Sequence, residues 1–516
     1  MEFKKVLSWL LALLWAVSFS ALIAGENVKP VNPKSSPEAI ALLKFLYSIS
    51  GSYTLTGQHN YPDTKDRNTQ FAAQYIGKTP AVFSTDWGFA KDGDTDSYLA
   101  RPDIVAEAIR QHRSGSIITI CWHAVPPTAD EPVTFQPPPG RVVPPESLMS
   151  VQGKLLDQQF RDVLTPGTEL HKRWCAQVDS IAGYLKQLQK ARVPILWRPY
   201  HEMNGDWFWW GGRHGQYGTR ALYIQLFNRF VKYHKLNNLI WVWSVDRPTR
   251  PEMHYSHYFP GLKYLDILAL DVYGSEFNQT YYDSLVILSK GKPVILGEVG
   301  NPPTLEILQK QPKWGLYVIW AGMVRNTLRR QHQTLVNDPR VLSLEDPAYI
   351  QVIAPFRAAC GLPPLVIREK KDELKRVNFV GEWLFNEEKS VLDNWGVGGI
   401  PYTLKISQQE NELNIQKSFI LEYADDRVTE EKLTLDSQES HSEMWNSPRI
   451  MTAKWSENGD SLFIDSKVQF GPGGRSFEMK INEVWSLPEQ GKILVINQSS
   501  TSFRGTRKIV MVYDKQ

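Results

Sequence analysis

Cysteine is scarce in this chain: Cys121, Cys175 and Cys360 are the only three in 516 residues. An odd, widely spread set excludes a disulfide framework and offers no thiolate spacing for a metal. Cys121 lies in an apolar strand pattern and reads as a buried small hydrophobe. Excess charge of one sign is also lacking. A net charge of +3 is too mild to suggest nucleic acid or an anionic membrane as partner. No internal repeat is evident, and long apolar runs are missing except at residues 6–24. That stretch follows Met1-Glu2-Phe3-Lys4-Lys5 and reads as a secretory signal cleaved near Ala24. Its nineteen residues are also just enough for an uncleaved anchor, the less favoured reading. No cysteine in or just after it offers a site for lipid attachment. The expected location is therefore secreted or periplasmic, with residues 25–37 as a linker.

What is abundant is tryptophan: eighteen, more than a core of this size needs, so some are expected to line a groove. From a helical pattern at 38–49 onward, short apolar runs alternate with longer amphipathic stretches. Candidate strands are 53–56, 81–84, 117–122, 194–197, 239–243, 267–270, 293–296 and 316–320. Helical patterns such as 174–190 and 220–234 lie between them. Eight such alternations predict an α/β fold, a (β/α)₈ TIM barrel over residues 38–364. His59, Asp86, His123, Glu202, Ser244, Tyr273, Glu298 and Trp320 then fall at the strand ends, which converge on the C-terminal mouth of such a barrel. The Pro-rich stretch 124–145 is too long for an ordinary loop and is expected to wall the cleft.

After about Pro364 the composition changes. A charged connector spans 365–376, and short alternating strands follow, with turns such as Glu457-Asn458-Gly459-Asp460 and Gly471-Pro472-Gly473-Gly474. Residues 377–516 thus read as a C-terminal all-β accessory domain.

The densest motif is Trp197-Arg198-Pro199-Tyr200-His201-Glu202-Met203-Asn204-Gly205-Asp206-Trp207-Phe208-Trp209-Trp210. Aromatic faces stack on sugar C–H surfaces, and a carboxyl among them in a dry cleft can keep its proton at neutral pH. An acid catalyst for glycosidic bonds needs both properties. Its partner would be an ionised carboxylate ~5–5.5 Å away for a retaining mechanism. Glu298, in Leu296-Gly297-Glu298-Val299-Gly300, stands on the seventh strand, across the barrel from the fourth. Its flanking glycines are expected to let substrate approach. Tyr273 is placed to hydrogen-bond it. No cofactor or metal is required by this scheme.

The segment Leu164-Thr165-Pro166-Gly167-Thr168-Glu169-Leu170, the His201–Trp210 motif and Gly297-Glu298 together resemble glycoside hydrolase family 26, mostly endo-β-1,4-mannanases. The likeness spans about residues 50–333. It implies a clan A barrel with Glu202 as acid/base and Glu298 as nucleophile of a retaining endo-β-1,4-mannanase. It also implies that His123 binds the sugar beside the cleaved bond, that Tyr273 sits beside the nucleophile and that Trp320 floors that subsite. His201 stands where most of the clan has asparagine. Gly381-Glu382-Trp383 and Arg507 make the second domain resemble lipocalin-like barrels, which implies that Arg507 packs on Trp383.

Blander readings stand beside these. His201 is equally a buried, satisfied histidine holding the strand end. Asp86 either lines the groove or caps the next segment. Trp207, Phe208, Trp209 and Trp210 cannot all face sugar, although Trp207 and Trp210 are the candidates for it. Arg198 is expected in a buried ion pair. A metal hydrolase using His59, His123 and His201 is disfavoured, because Gly205 occupies the second histidine position of a zincin motif. A non-catalytic polysaccharide-binding protein, or a β-1,3-xylanase or mixed-linkage β-glucanase of the same family, are the remaining alternatives. The expected partner is β-mannan or a related plant polysaccharide, with no nucleic acid and no membrane protein, and the chain is expected to be a monomer.

Overall fold

The computed structural model describes residues 28–88, 97–137, 147–366, 378–393, 397, 399–409, 412–421, 426–435, 438–456, 461–470, 477–502 and 505–516. The expected signal at 1–24, the charged connector and the turns at 457–460 and 471–474 lie outside these. Among the described residues no helix is long and apolar enough to cross a membrane. Two compact units are present: the chain to Thr327 together with Gln331–Arg368, and Leu328–Arg330 together with Glu369–Gln516.

The first unit opens with α1 (Pro37–Ile49), which Ser36 caps by accepting from the Ala39 N–H. Proline at the first turn and Glu38 beside the orphan N–H groups suit this start. Eight parallel strands follow: β1 (Gly57–His59), β2 (Val82–Asp86), β3 (Ile117–Trp122), β4 (Ile195–Pro199), β5 (Leu239–Asp246), β6 (Ile267–Val272), β7 (Val294–Val299) and β8 (Trp314–Ile319). Each pairs with the next and β8 pairs back with β1, closing a TIM barrel. Every residue of these strands is buried, which explains their near-continuous apolar sequence. Between β3 and β4, the helix α2 (Glu169–Lys190) turns Trp174, Val178, Ile181, Leu185 and Leu188 inward at helical spacing.

The strand bounds depart from expectation in two informative places. The first strand is broken: Thr54–Leu55 pairs partly with Val341–Leu342, and β1 resumes at Gly57. The fifth runs on to Asp246, which brings a carboxylate to the rim. The helix expected at 220–234 is α-helical only over Thr219–Asn228 and widens to a π-turn over Arg229–Tyr233.

An apolar cluster of this unit joins Ala39, Leu42 and Leu46 of α1 to the opening residues of the strands, among them Ile117, Leu196, Ile240, Ile267 and Ile295. The barrel is thus plugged with hydrocarbon at its N-terminal end. The opposite end is left for polar chemistry.

The second unit is a ten-stranded antiparallel sheet: β9 (Gly381–Phe385), β10 (Thr403–Gln409), β11 (Glu412–Phe419), β12 (Arg427–Thr434), β13 (Ser440–Met444), β14 (Ser447–Trp455), β15 (Ser461–Phe470), β16 (Phe477–Ser486), β17 (Ile493–Ser502) and β18 (Gly505–Lys515). Its first and last strands pair, and among the described residues the ring is open between β12 and β13, giving a nearly closed barrel. Strict alternation, as in Leu462, Ile464, Ser466 and Val468 of β15, sends every second side chain inward. Trp383 is fully buried and donates its Nε1–H to the Phe379 carbonyl at 2.9 Å. The cation over its ring is not Arg507, as the lipocalin-like pattern implied, but Lys515, whose Nζ lies 5.2 Å from the ring centre. Register decides this: Trp383 pairs directly with Lys515, whereas Arg507 pairs with Ser500 and binds Asp393 at 2.8 Å.

Candidate active site

At the C-terminal mouth of the first barrel, β4 ends in a backbone of unusual geometry. Tyr200 and Glu202 have φ of 51° and 50°, left-handed values that a residue with a side chain adopts at a cost. The Asn204 side chain ties this turn to β5, donating to the Asp246 carbonyl at 2.7 Å and accepting from the Asp246 N–H at 2.7 Å. Gly205 leaves room for the Trp207 ring, whose atoms would come within 2.1–2.4 Å of any Cβ there. Trp207 folds back over that gap and donates its Nε1–H to Glu202 Oε2 at 2.7 Å.

Glu202 and Glu298 are 8% and 2% exposed. Each presents a carboxylate oxygen in a cluster with Asp271 whose members all lie within 4.8 Å of one another. Burial, followed by the charges of Glu298, Asp246 and Asp271, pushes the Glu202 carboxyl well above the usual range, so it holds a proton. Glu298 is gripped from two sides. The buried Arg198 donates to Oε1 through Nη2, and the Tyr273 hydroxyl donates to Oε2 at 2.5 Å. Arg198 also binds Asp271, with Nη1 3.1 Å from Oδ2. Ser244 Oγ adds a bond to the same carboxylate at 3.0 Å. Burial disfavours the guanidinium charge, but Glu298 and Asp271 outweigh it and hold Arg198 charged.

A second line of contacts runs inward from His201. Its Nε2 lies 3.8 Å from Glu298 Oε1 and 3.2 Å from His123 Nε2. His123 Nδ1 donates to Asp86 Oδ2 at 2.7 Å, and Asp86 also accepts from the Cys121 thiol and the Gly88 N–H. Although burial opposes it, the contact with His123 leads the effects that hold Asp86 well below the usual carboxylate range. Burial, with His123 and Arg198 close by, keeps His201 neutral. Cys121 is buried as expected, yet its sulfur is also a hydrogen-bond donor.

The aromatic motif divides sharply. Phe208, Trp209 and Trp210 are 3%, 1% and 0% exposed, and only Trp207 is partly open. Trp210, a candidate for sugar contact, stacks on Phe208 at 4.4 Å and donates to the His201 carbonyl, bracing the loop. Trp320 lies flat on His59 at 3.9 Å, with Tyr273 and Phe135 packed beside it. Phe135 comes from the Pro-rich stretch and packs on His123 and Phe208; residues 138–146 of that stretch lie outside the described set.

Several partners were not legible beforehand. Asp271 and Asp246 complete the charge network, and Ser244, expected only as a strand-end residue, binds Asp271. Gly297 has a different purpose from the one expected: a Cβ there would sit 2.6 Å from Asp271 Oδ1 and 3.1 Å from Ser244 Oγ. It makes room for a neighbouring carboxylate rather than for substrate. Among the described residues, the groups with metal-ligand spacing are Glu202–Asp271–Glu298 and Asp86–Cys121–His123, not the three histidines. In the first, Arg198 already supplies a cation to two of the carboxylates.

The model of glycosyl hydrolase family 26 matches residues 31–345, more than half of the chain. The chain belongs to this family. A mannan endo-1,4-beta-mannosidase of Thermothelomyces thermophilus is 32% identical over 299 residues, covering 57% of this chain and 57% of the relative. Mannan endo-1,4-beta-mannosidase A of Piromyces sp. is 28% identical over 313 residues, covering 57% of this chain and 46% of the relative. The chain therefore spans about half the length of these curated relatives. Among solved structures, GH26A from Muricauda sp. is 40% identical with a TM-score of 0.54, the match covering 61% of this chain and 98% of that one. Family 26 membership thus concerns the first barrel, and the strands of the second, Gly381 to Lys515, lie beyond the matched residues.

Proposed function

We propose that this chain is a retaining endo-β-1,4-mannanase with Glu202 as acid/base and Glu298 as nucleophile. The observation that carries the reading is the carboxylate pair: oxygens of Glu202 and Glu298 within 4.8 Å, one carboxyl protonated and the other gripped by Arg198 and Tyr273. That spacing supports a retaining enzyme, for which ~5–5.5 Å is usual, over an inverting one at ~6.5–9.5 Å. Mannan is the substrate named in both curated relatives.

In this scheme Glu298 attacks the anomeric carbon while Glu202 gives its proton to the departing glycosidic oxygen. Water then attacks the glycosyl-enzyme as Glu202 takes a proton from it, and the bond to Glu298 breaks with net retention. Tyr273 and Arg198 hold the nucleophile's oxygens, and Trp320 and Trp207 present faces to the sugar. His201 and His123 orient the pocket wall beside the cleaved bond. The basic residues and apolar stretch before Ala24 support export to the periplasm or medium.

Reducing-sugar release from mannan, β-1,3-xylan and barley glucan tests the substrate, and proton NMR of the first-formed product tests retention. Glu202→Ala should lose ~10²–10⁴-fold on mannan while still forming the glycosyl-enzyme from activated aryl mannosides. Inversion at the anomeric carbon would sink the mechanism, and a preference for xylan or glucan would move the substrate.

A further inference from the structure

The barrel of the second unit is not packed throughout. Part of its interior is packed hydrocarbon, with Trp383, Leu462, Ile464 and Leu494 buried together. Another part encloses a cavity of about 860 Å³, within the ~300–1,000 Å³ of small-molecule sites. Its walls are apolar in large part, with Ile481, Ile496 and Met511 among them, but they also carry Lys417, Glu431, Ser500 and Arg507.

The charges among them are already balanced. Lys417 Nζ lies 2.8 Å from Glu431 Oε2, and Arg449 Nη1 lies 2.9 Å from Glu431 Oε1. Arg507 binds Asp393. A charged ligand would have to break one of these pairs in a buried setting, which is costly. A neutral ligand rich in hydroxyls would instead meet fixed donors and acceptors.

The mouth adds flat apolar faces. Trp445, Phe470 and Phe477 form a stacked row with ring centres 5.9 and 5.2 Å apart, and Trp445 and Phe477 are 55% and 41% exposed. Trp445 sits at a two-residue hairpin tip in the left-handed region, with φ of 51°. Glycine or asparagine is the ordinary choice there, so an exposed tryptophan at that position is locally unfavourable.

We propose that this cavity binds a short neutral saccharide, its rings stacked on the aromatic row and its hydroxyls bonded to the paired polar groups within. The expectation that the sugar is a manno-oligosaccharide rests on the hydrolase reading above; the cavity itself does not.

The test uses the full chain carrying Glu298→Ala, so that probes are not consumed, titrated calorimetrically with mannotetraose, cellotetraose and xylotetraose. Two classes of site are expected for at least one tetrasaccharide. Adding Trp445→Ala should weaken one class about tenfold or more and leave the other unchanged. Ser500→Trp, which fills the cavity from another wall, should have the same effect, with thermal melts confirming that both variants fold. No Trp445-dependent site for any tetrasaccharide would overturn the inference. So would uptake of the apolar dye anilinonaphthalene sulfonate, blocked by Ser500→Trp, in place of sugar. Mannan hydrolysis without a Trp445-dependent site removes this inference alone. A Trp445-dependent site for another sugar, with mannan untouched, removes the mannanase reading alone.

Discussion

Glu202 of the first barrel and Glu431 of the second are equally buried, at 8% and 7% exposure, yet their acidities move in opposite directions. Burial raises the pKa of both. Around Glu202, the further charges of Glu298, Asp246 and Asp271 add to that rise, although Arg198 pairs with two of these carboxylates and Arg247 with the third. Around Glu431, Lys417 and Arg449 outweigh burial and bring the carboxyl below its usual range. Burial alone therefore does not make an acid catalyst. Burial joined by neighbouring carboxylates does, and the first barrel has assembled that combination where the second has not.

The comparison can be broken from either side. Removing the nucleophile by Glu298→Ala should lower kcat on mannan by roughly 10⁴-fold or more. It should also bring the Glu202 pKa down, because Glu298 is the leading charge that raises it, and carboxyl NMR titration would detect the fall.

Arg449→Met turns the balanced cluster into an unbalanced one. Leaving Glu431 and Glu483 short of their buried cation should destabilise the second unit by about 3–5 kcal/mol at neutral pH, measured by denaturant unfolding. In the natural chain the depressed Glu431 pKa contributes stability above the ordinary carboxyl range, lost as pH falls through the folded value. In the variant Lys417 alone opposes burial, so the Glu431 pKa should rise toward its usual value and less stability should be lost on acidification.

Gly297→Ala probes the geometry of the first barrel's carboxylates. A Cβ 2.6 Å from Asp271 Oδ1 must push that carboxylate away, and a displacement of this kind should reduce kcat about 10²-fold with KM little changed. Unchanged turnover would show that Asp271 does not position Arg198 and Glu298.

The smallest effect is expected from Trp207→Phe. The indole N–H opposes the rise in the Glu202 pKa, so its loss should move the alkaline limb of activity further up in pH. That limb reports Glu202 losing its proton, and activity falls as pH rises through it.

Much of this architecture was legible beforehand because strands buried on both faces write themselves as apolar runs, and helices between them as amphipathic ones. Glu202 and Glu298 stood out because local motifs surround them. Asp271 did not, because its role depends on Arg198, which is 73 residues away in the chain and bonded to it only across the barrel. The glycine before Glu298 was visible, but its reason was not: the atom it avoids belongs to another strand. The misplacement of Arg507 has the same origin, since the register of β9 against β18 selects Lys515 instead.

The order of strands and helices, the two carboxylates and the aromatic loop follow from the sequence itself, because period and local spacing are properties of neighbouring residues. Which carboxyl keeps its proton, which tryptophan meets solvent and which cation covers Trp383 were decided only by the folded chain. These outcomes depend on electrostatic and steric contacts between residues far apart in sequence, and such contacts exist only once the barrels have closed.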